Sequence, residues 1–146
     1  MKPEKMWECY CQNNHQINAG YEAWAFGGES NKLAELVVQG VKTATSSLRL
    51  LYELEKEALP KAGSYSVIMD SYGDAKCIIK TTNVYVVPFH EVSAAHAYKE
   101  GEGDRSLAYW REVHREFFSD CLKEAGLSFR ETMDVVCEEF EIVYME

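Results

Sequence analysis

The sequence predicts an α+β fold: a small, mostly antiparallel sheet curled into an open barrel, with helices packed around it. Three observations predict it. Residues 64–69 and 75–87 are strand-like runs flanking Asp70-Ser71-Tyr72-Gly73-Asp74, a turn sequence that implies a hairpin and antiparallel pairing. Residues 133–145 alternate like a further strand, and residues 43–47 are short, hydroxyl-rich and extended in character. Helical periodicities fall irregularly between these runs, which excludes a regular strand–helix repeat.

Taken in order, residues 3–16 read as a short helix, with Met6, Trp7, Tyr10 and Cys11 on one stripe. Residues 21–28 are aromatic and then flexible. Glu29 or Ser30 opens a second helix carrying Leu33, Leu36 and Val37, and Gly40 ends it. A helical stretch over 48–58 is broken by Pro60 and Gly63. Residues 91–99 are helical, and 100–104 form a loop. Ser106 or Asp104 caps a long helix to about residue 125, on which Leu107, Trp110, His114, Phe117, Phe118 and Cys121 recur at the spacing of a buried face. In the last strand Val136, Glu138, Phe140, Ile142 and Tyr144 share one parity, which aims Glu138 inward.

Composition narrows the function classes. The 146 residues suit one domain, and 47% apolar with 27% charged residues describes a globular chain rather than a disordered or fibrous one. No apolar run approaches the roughly 20 residues of a membrane span. The opening MKPEKMWECYCQNN carries charge where an export signal needs an apolar stretch, so a cytoplasmic location is expected. The formal charge is −9, and residues 89–146 carry most of it, with six basic and fourteen acidic residues. Non-specific DNA binding is therefore not expected, because that needs clustered Lys and Arg. A nucleic-acid or nucleotide contact would need a local basic pocket, drawn from Lys42, Arg49, Lys61, Lys76 and Lys80. Five cysteines without a CxxC pair lack zinc spacing, so no metal site and no cofactor is predicted. Cys77 and Cys137 read as core thiols.

Four groups could carry chemistry. In Gly40-x-Lys42-x-x-Thr45, a helix-ending glycine leaves Lys42 on an exposed bend, with Thr43, Thr45 and Ser46 supplying hydroxyls. The bland alternative is a helix cap followed by an edge strand. In Glu100-Gly101-Glu102-Gly103-Asp104, three carboxylates alternate with glycines, so a ligand can come close to the backbone. The alternative is a solvated turn; Arg105 and Arg111 rule out a calcium loop of the EF-hand type. In Trp110-Arg111-x-x-His114, the histidine reads as a core residue, Arg111 as a partner for the acidic loop or an anion, and Trp110, like Trp24, as core or as a stacking platform. An inward Glu138 must be paired, protonated or functional, and a bridge to a buried Arg is its bland reading.

These residues together resemble the ASCH domain family. Gly40-Val41-Lys42-Thr43-Ala44-Thr45 is similar to its GxKxxT signature. The context agrees in order: Trp24-x-Phe26-Gly27, Leu59-Pro60-Lys61-x-Gly63, Pro88-Phe89-x-x-Val92, the Glu100–Asp104 loop, Trp110-Arg111-x-x-His114-x-x-Phe117-Phe118 and Val136-Cys137-Glu138-x-Phe140. The resemblance spans about residues 20–145. It makes the whole of 1–146 a single domain of this kind, with residues 1–19 an additional N-terminal helix. It implies a PUA-like barrel whose cleft is lined by the signature and takes RNA or a modified nucleoside. One branch of the family removes the acyl group from N-acylated cytosine nucleosides with a Lys, a Thr and a Glu; another is assigned ribonuclease activity. Carried over, the Lys is Lys42, the Thr is Thr45 and the Glu is Glu100, with Glu102 close by. Gly40, Thr43, Ser46, Glu102, Trp24, Trp110 and Arg111 would line the ligand site. This chain is longer than the deacylating branch, which bears on the substrate.

Overall fold

The computed structural model describes residues 1–14 and 19–146. Helix α1 is Pro3–Asn13; the prediction's residues 15 and 16 lie outside the described residues. Then follow β1 (Glu22–Trp24), α2 (Ser30–Val38), β2 (Ala44–Leu48), α3 (Arg49–Glu55), β3 (Tyr65–Met69), β4 (Ala75–Pro88), α4 (Ala94–Glu100), α5 (Leu107–Glu124) and β5 (Asp134–Tyr144). The five strands form one sheet in the order β1-β3-β4-β5-β2. All neighbours are antiparallel except β1, which runs parallel to β3. The α+β class and the mostly antiparallel open barrel are as the sequence predicts.

The β3–β4 hairpin forms where expected. Asp70 Oδ1 accepts from the backbone N–H of Tyr72 and Asp74, which ties the turn. Strand β4 is long enough to serve two neighbours: its first half pairs with β3, and most of its length pairs with β5. Register shifts at Ile78/Ile79 and Thr81/Asn83 bend it, curling the sheet.

Three apolar clusters hold the elements. Leu48, Phe89, Trp110, Phe118, Leu122, Val135 and Cys137 pack α5 against one face of the sheet. Phe26, Ala34, Val37, Ile68, Cys77, Ile79 and Phe140 seat α2 on the other. Met6, Tyr10, Val67 and Ile78 dock α1. Cys77 and Cys137 are buried free thiols, and burial pushes each up to about 12.

Some boundaries differ from the predicted ones. Strand β1 falls in the stretch read as aromatic and flexible. Leu48 is the last residue of β2, so α3 starts one residue later than expected and ends at Glu55, where Lys56 turns left-handed. The helix predicted over 91–99 is a 3₁₀ turn at Phe89–Glu91 followed by α4, capped by Ser93 Oγ accepting from His96 N. On α5 the buried face is Trp110, His114, Phe118 and Leu122; Phe117 is 37% exposed and faces a cavity. Among the described residues, no helix is long and apolar enough to cross a membrane.

Candidate functional site

The site begins with how α2 ends. Gly40 takes a left-handed φ of 78°, and the N–H groups of Val41 and Lys42 both bond back to Leu36 O, at 2.9 and 3.0 Å. This turns the chain so that Lys42 points into the protein, where it is 1% exposed. On the facing segment, α4 ends at Glu100, also 1% exposed, and Gly101 (φ 72°) reverses the chain. A Cβ at Gly101 would lie 2.6 Å from Val41 O, so only glycine lets the two segments approach this closely. Thr43 N then bonds Lys99 O at 2.7 Å, locking them together.

The result is a buried ion cluster. Lys42 Nζ donates to Glu100 Oε1 at 3.2 Å and to Glu102 Oε2 at 3.0 Å, with Glu100 O at 3.4 Å. His114 Nε2 lies 3.5 Å from Glu100 Oε1, while its Nδ1–H donates to Trp110 O at 2.9 Å. Glu100 Oε2 accepts from Ser46 Oγ at 2.6 Å and from Trp110 Nε1. His96 Nε2 is 2.7 Å from Ser46 Oγ and 3.1 Å from Glu100 Oε2, which assigns its proton to Nε2; Nδ1 has no partner among the described residues.

Electrostatics follows from this geometry. Burial pushes the Glu100 carboxyl up, but the Lys42 charge and the bonds from His114 and His96 prevail and hold it well below the usual carboxylate range. For His114, burial favours the neutral ring, but the hydrogen bond and charge of Glu100 outweigh it and raise its pKa. Glu100, Glu102 and His114 also offer ligand atoms within 4.8 Å of one another, the number and kind a metal could use. The Lys42 ammonium already lies against both carboxylates and supplies the positive charge a cation would bring.

Two cavities meet at this cluster. The smaller, about 530 Å³, is lined by Lys42, Thr45, Ser46, Glu100, Glu102 and His114. The larger, about 1150 Å³, has aromatic walls of Trp24, Phe26, Tyr52 and Tyr65, with Thr45, Ser47, Ser66, Thr81 and Glu138 among its polar groups. Phe26, Gly27, Thr45, Ser46 and Phe117 border both, so the two are joined.

The structure thus gathers Lys42, Ser46, Glu100 and Glu102, and sets Thr45 and Trp24 on the cavity walls. Thr45 makes no hydrogen bond to Lys42 or Glu100 among the described residues; the hydroxyl on Glu100 is that of Ser46. Three expected ligand contacts are placed elsewhere. Trp110 is 3% exposed, stacked on His114 at 4.3 Å and bonded to Glu100, so it supports the cluster and offers no face to a ligand. Arg111 Nη2 donates to His90 O, away from the acidic loop. Thr43 Oγ1 donates to Lys99 O at the surface. Gly40 acts through the backbone. Of the expected basic residues, Lys61 lines the larger cavity, whereas Arg49 pairs with Asp134 and Lys76 with Asp70. His96 was not singled out in the sequence, although its i,i+4 spacing to Glu100 on one helix is the signal that could have found it.

The ASCH domain profile matches residues 22–144, which include every element but α1. The chain belongs to the ASCH domain family. An ASCH domain from Lactobacillus crispatus is 36% identical, with a TM-score of 0.90 and coverage of 97% of this chain and 93% of that one. A protein from Enterococcus faecalis is 37% identical, with a TM-score of 0.90 and coverage of 97% and 88%. An ASCH protein from Zymomonas mobilis shares the fold at 9% identity, with a TM-score of 0.52 and coverage of 84% and 68%. No curated protein matches the sequence. The ASCH fold is the PUA-like α+β barrel described above.

Proposed function

We propose that this ASCH domain is a cytoplasmic binding module that takes RNA or a modified nucleoside in the joined cavities. The observation that carries this reading is the concave, aromatic-sided double chamber, whose wall is held in place by Lys42 fixed between Glu100 and Glu102. Ligand pockets commonly hold ~300–1,000 Å³, and the two chambers reach that scale. Aromatic walls suit a planar base. Lys61 at the rim of the larger chamber suits a phosphate. Free thiols and the −9 charge accord with an intracellular protein that meets nucleic acid through one pocket.

A second reading is hydrolysis of an N-acylated cytosine nucleoside, or of RNA. Lys42, Thr45 and Glu100 line one cavity, and this favours it. In that reaction Thr45 Oγ1 would attack the acyl carbon and Lys42 would take its proton. However, Lys42 Nζ is turned to oxygens of Glu100 and Glu102, and among the described residues no hydrogen bond joins it to the Thr45 hydroxyl, so no base is placed on the nucleophile. Binding is therefore the better-supported function.

The test is incubation with N4-acetylcytidine, unmodified nucleosides and short RNAs, comparing wild type with Lys42→Ala, Trp24→Ala and Thr45→Val. Thermal melts check that each variant folds. Saturable binding without product, weakened by about tenfold or more in folded Trp24→Ala, supports the module. Turnover abolished by Thr45→Val replaces it with the hydrolase. The absence of saturable binding to any probe overturns both.

A further inference from the structure

Glu138 lies outside the ion cluster, yet no scaffold role accounts for it. It sits on β5 opposite Thr45 of β2 and Val84 of β4. Directly opposed residues on antiparallel strands project to the same face, and Glu138 and Thr45 both line the larger chamber. The titratable groups around that chamber, besides Glu138, are Tyr21 just before β1, Glu22 from β1, Tyr52 from α3, Glu57 and Lys61 from the segment after α3, and Tyr65 from β3. Tyr52 is already engaged with Ser47 Oγ at 2.9 Å. Among the described residues, no hydrogen bond and no positive charge offsets the burial of Glu138; its neighbour Glu22 adds repulsion. The adjacent Glu139 shows the usual solution, bonding both Lys99 and Asn83. The expected bridge to a buried Arg is absent among the described residues. A half-buried carboxyl without a partner is retained at a cost to folding unless something else binds it.

We propose that the larger chamber is a nucleobase subsite, and that Glu138 is its specificity-determining residue, reading a base edge that sets a ring-nitrogen acceptor beside an exocyclic amine. This rests on the nucleoside reading above and names its ligand class. The side chain's burial and the nearby Glu22 carboxylate push its pKa up to about 7, so the neutral acid is well populated near neutrality. A neutral carboxylic acid has one O–H donor beside one carbonyl acceptor. The O–H donates to the ring nitrogen and the carbonyl accepts from the amine, giving two parallel hydrogen bonds to cytosine or adenine. Uracil carries an N3–H donor where cytosine has the ring-nitrogen acceptor and a carbonyl where cytosine has the amine, so the acid must turn over and donate to that carbonyl, a weaker acceptor than a ring nitrogen and one that cannot share the proton. Trp24 and Phe26, on the chamber wall, supply aromatic surface for such a base.

The test is isothermal titration of the full chain with cytidine, adenosine and uridine at pH 6 and pH 8, using wild type, Glu138→Gln and Glu138→Leu. For a group titrating at about 7, the protonated fraction falls about tenfold across that range, so cytidine or adenosine affinity in wild type falls about tenfold, with uptake of close to one proton at pH 8 and little at pH 6. Uridine binds more weakly at pH 6, and this preference is lost at pH 8, where the ionised carboxylate has no proton to donate. Glu138→Gln, a fixed donor beside a fixed acceptor, binds equally well at both pH values. Glu138→Leu loses about tenfold or more at pH 6 while its melting profile shows an intact fold. Affinity independent of pH in wild type, equal binding of uridine at pH 6, or unchanged affinity at pH 6 in Glu138→Leu would overturn the assignment. Binding that depends on Trp24 but not on Glu138 removes this inference and leaves the binding module standing. If wild type binds neither nucleosides nor short RNA, both fall.

Discussion

Glu100 and Glu138 are two carboxyls served by adjacent residues of one strand. Ser46 of β2 bonds Glu100 on one face of the sheet, and Thr45 sits opposite Glu138 on the other. Both are removed from bulk water, so burial pushes both pKa values up. They nevertheless shift in opposite directions: Glu100 is held well below the ordinary range, and Glu138 rises to about 7. Burial has the same sign in both places; what differs is the company. Glu100 has an ammonium, two imidazoles, an indole N–H and a hydroxyl. Glu138 has Glu22. The first arrangement is a completed network that shapes a wall, and the second is an open valence facing a chamber.

The largest way to break this contrast is to strip Glu100 of its ammonium. Lys42→Met leaves a buried carboxylate short of charge, and should lower stability by about 3–5 kcal/mol, read by urea unfolding at pH 7.5. The loss should shrink toward acid pH. Glu100 has a depressed pKa in the fold, so its stabilising contribution is present above the unfolded carboxylate range and disappears as pH falls through its folded value. In the variant that depression is largely gone, and protonation relieves the penalty. His114 runs the other way: its raised pKa adds stability that is complete below its ordinary value of about 6.5 and is lost as pH rises through the folded one. Equal stability of wild type and Lys42→Met at pH 7.5 would show that the cluster is not the charge-compensated unit described here.

A smaller break moves the segment that carries the carboxylates. Gly101→Ala places a methyl 2.6 Å from Val41 O at a φ of 72°. The left-handed conformation alone costs about 1–2 kcal/mol for a residue with a Cβ, and the contact adds to it. Gly126→Ala is the control, because its φ is also 73° and nothing lies within 4 Å of the added carbon. The difference between the two variants in urea unfolding measures how tightly the 100–102 segment is pressed on Val41. If both lose the same stability, the close approach is not a constraint.

How much of this could be read from the chain follows the same division. The strands were legible because apolar alternation and the 70–74 turn are local signals. Strand β1 was not, since three residues carry little pattern and a parallel partner 44 positions on, as Glu22 is to Ser66, holds them. The Lys42 signature drew attention through its motif, but its partnership with Glu100 spans 58 residues and no spacing rule reaches that far. Resemblance supplied it. Trp110 was legible as an aromatic on a buried stripe, but whether its ring faced a ligand or a carboxylate depended on where α4 ended. For Glu138, parity correctly aimed the side chain inward. What parity could not show was the lack of a partner, because that depends on what β1, α3 and the segment after it bring to the chamber.

The mildest change sharpens the comparison most. Glu138→Gln keeps the shape of the side chain and removes its charge. A carboxyl whose folded pKa lies above its unfolded value holds its proton longer in the fold. Wild type therefore loses stability as pH rises from the ordinary carboxylate range to about 7, and the loss then levels off. The glutamine does not titrate, so the variant should match wild type near pH 4.5 and exceed it at pH 8. Because the carboxyl borders a solvent-reaching chamber, screening reduces the full linkage value, and the gain should be on the order of 1 kcal/mol, or about 2–4 °C in Tm. Glu100→Gln should do the reverse at pH 8, since it removes the partner of Lys42 rather than an unpaired charge. Thermal melts of both variants across pH 4.5 to 8 decide the matter: a gain for Glu138→Gln that grows with pH, beside a loss for Glu100→Gln, identifies one carboxyl as structural and the other as held in reserve for a ligand. Parallel responses from the two would mean that company does not distinguish them.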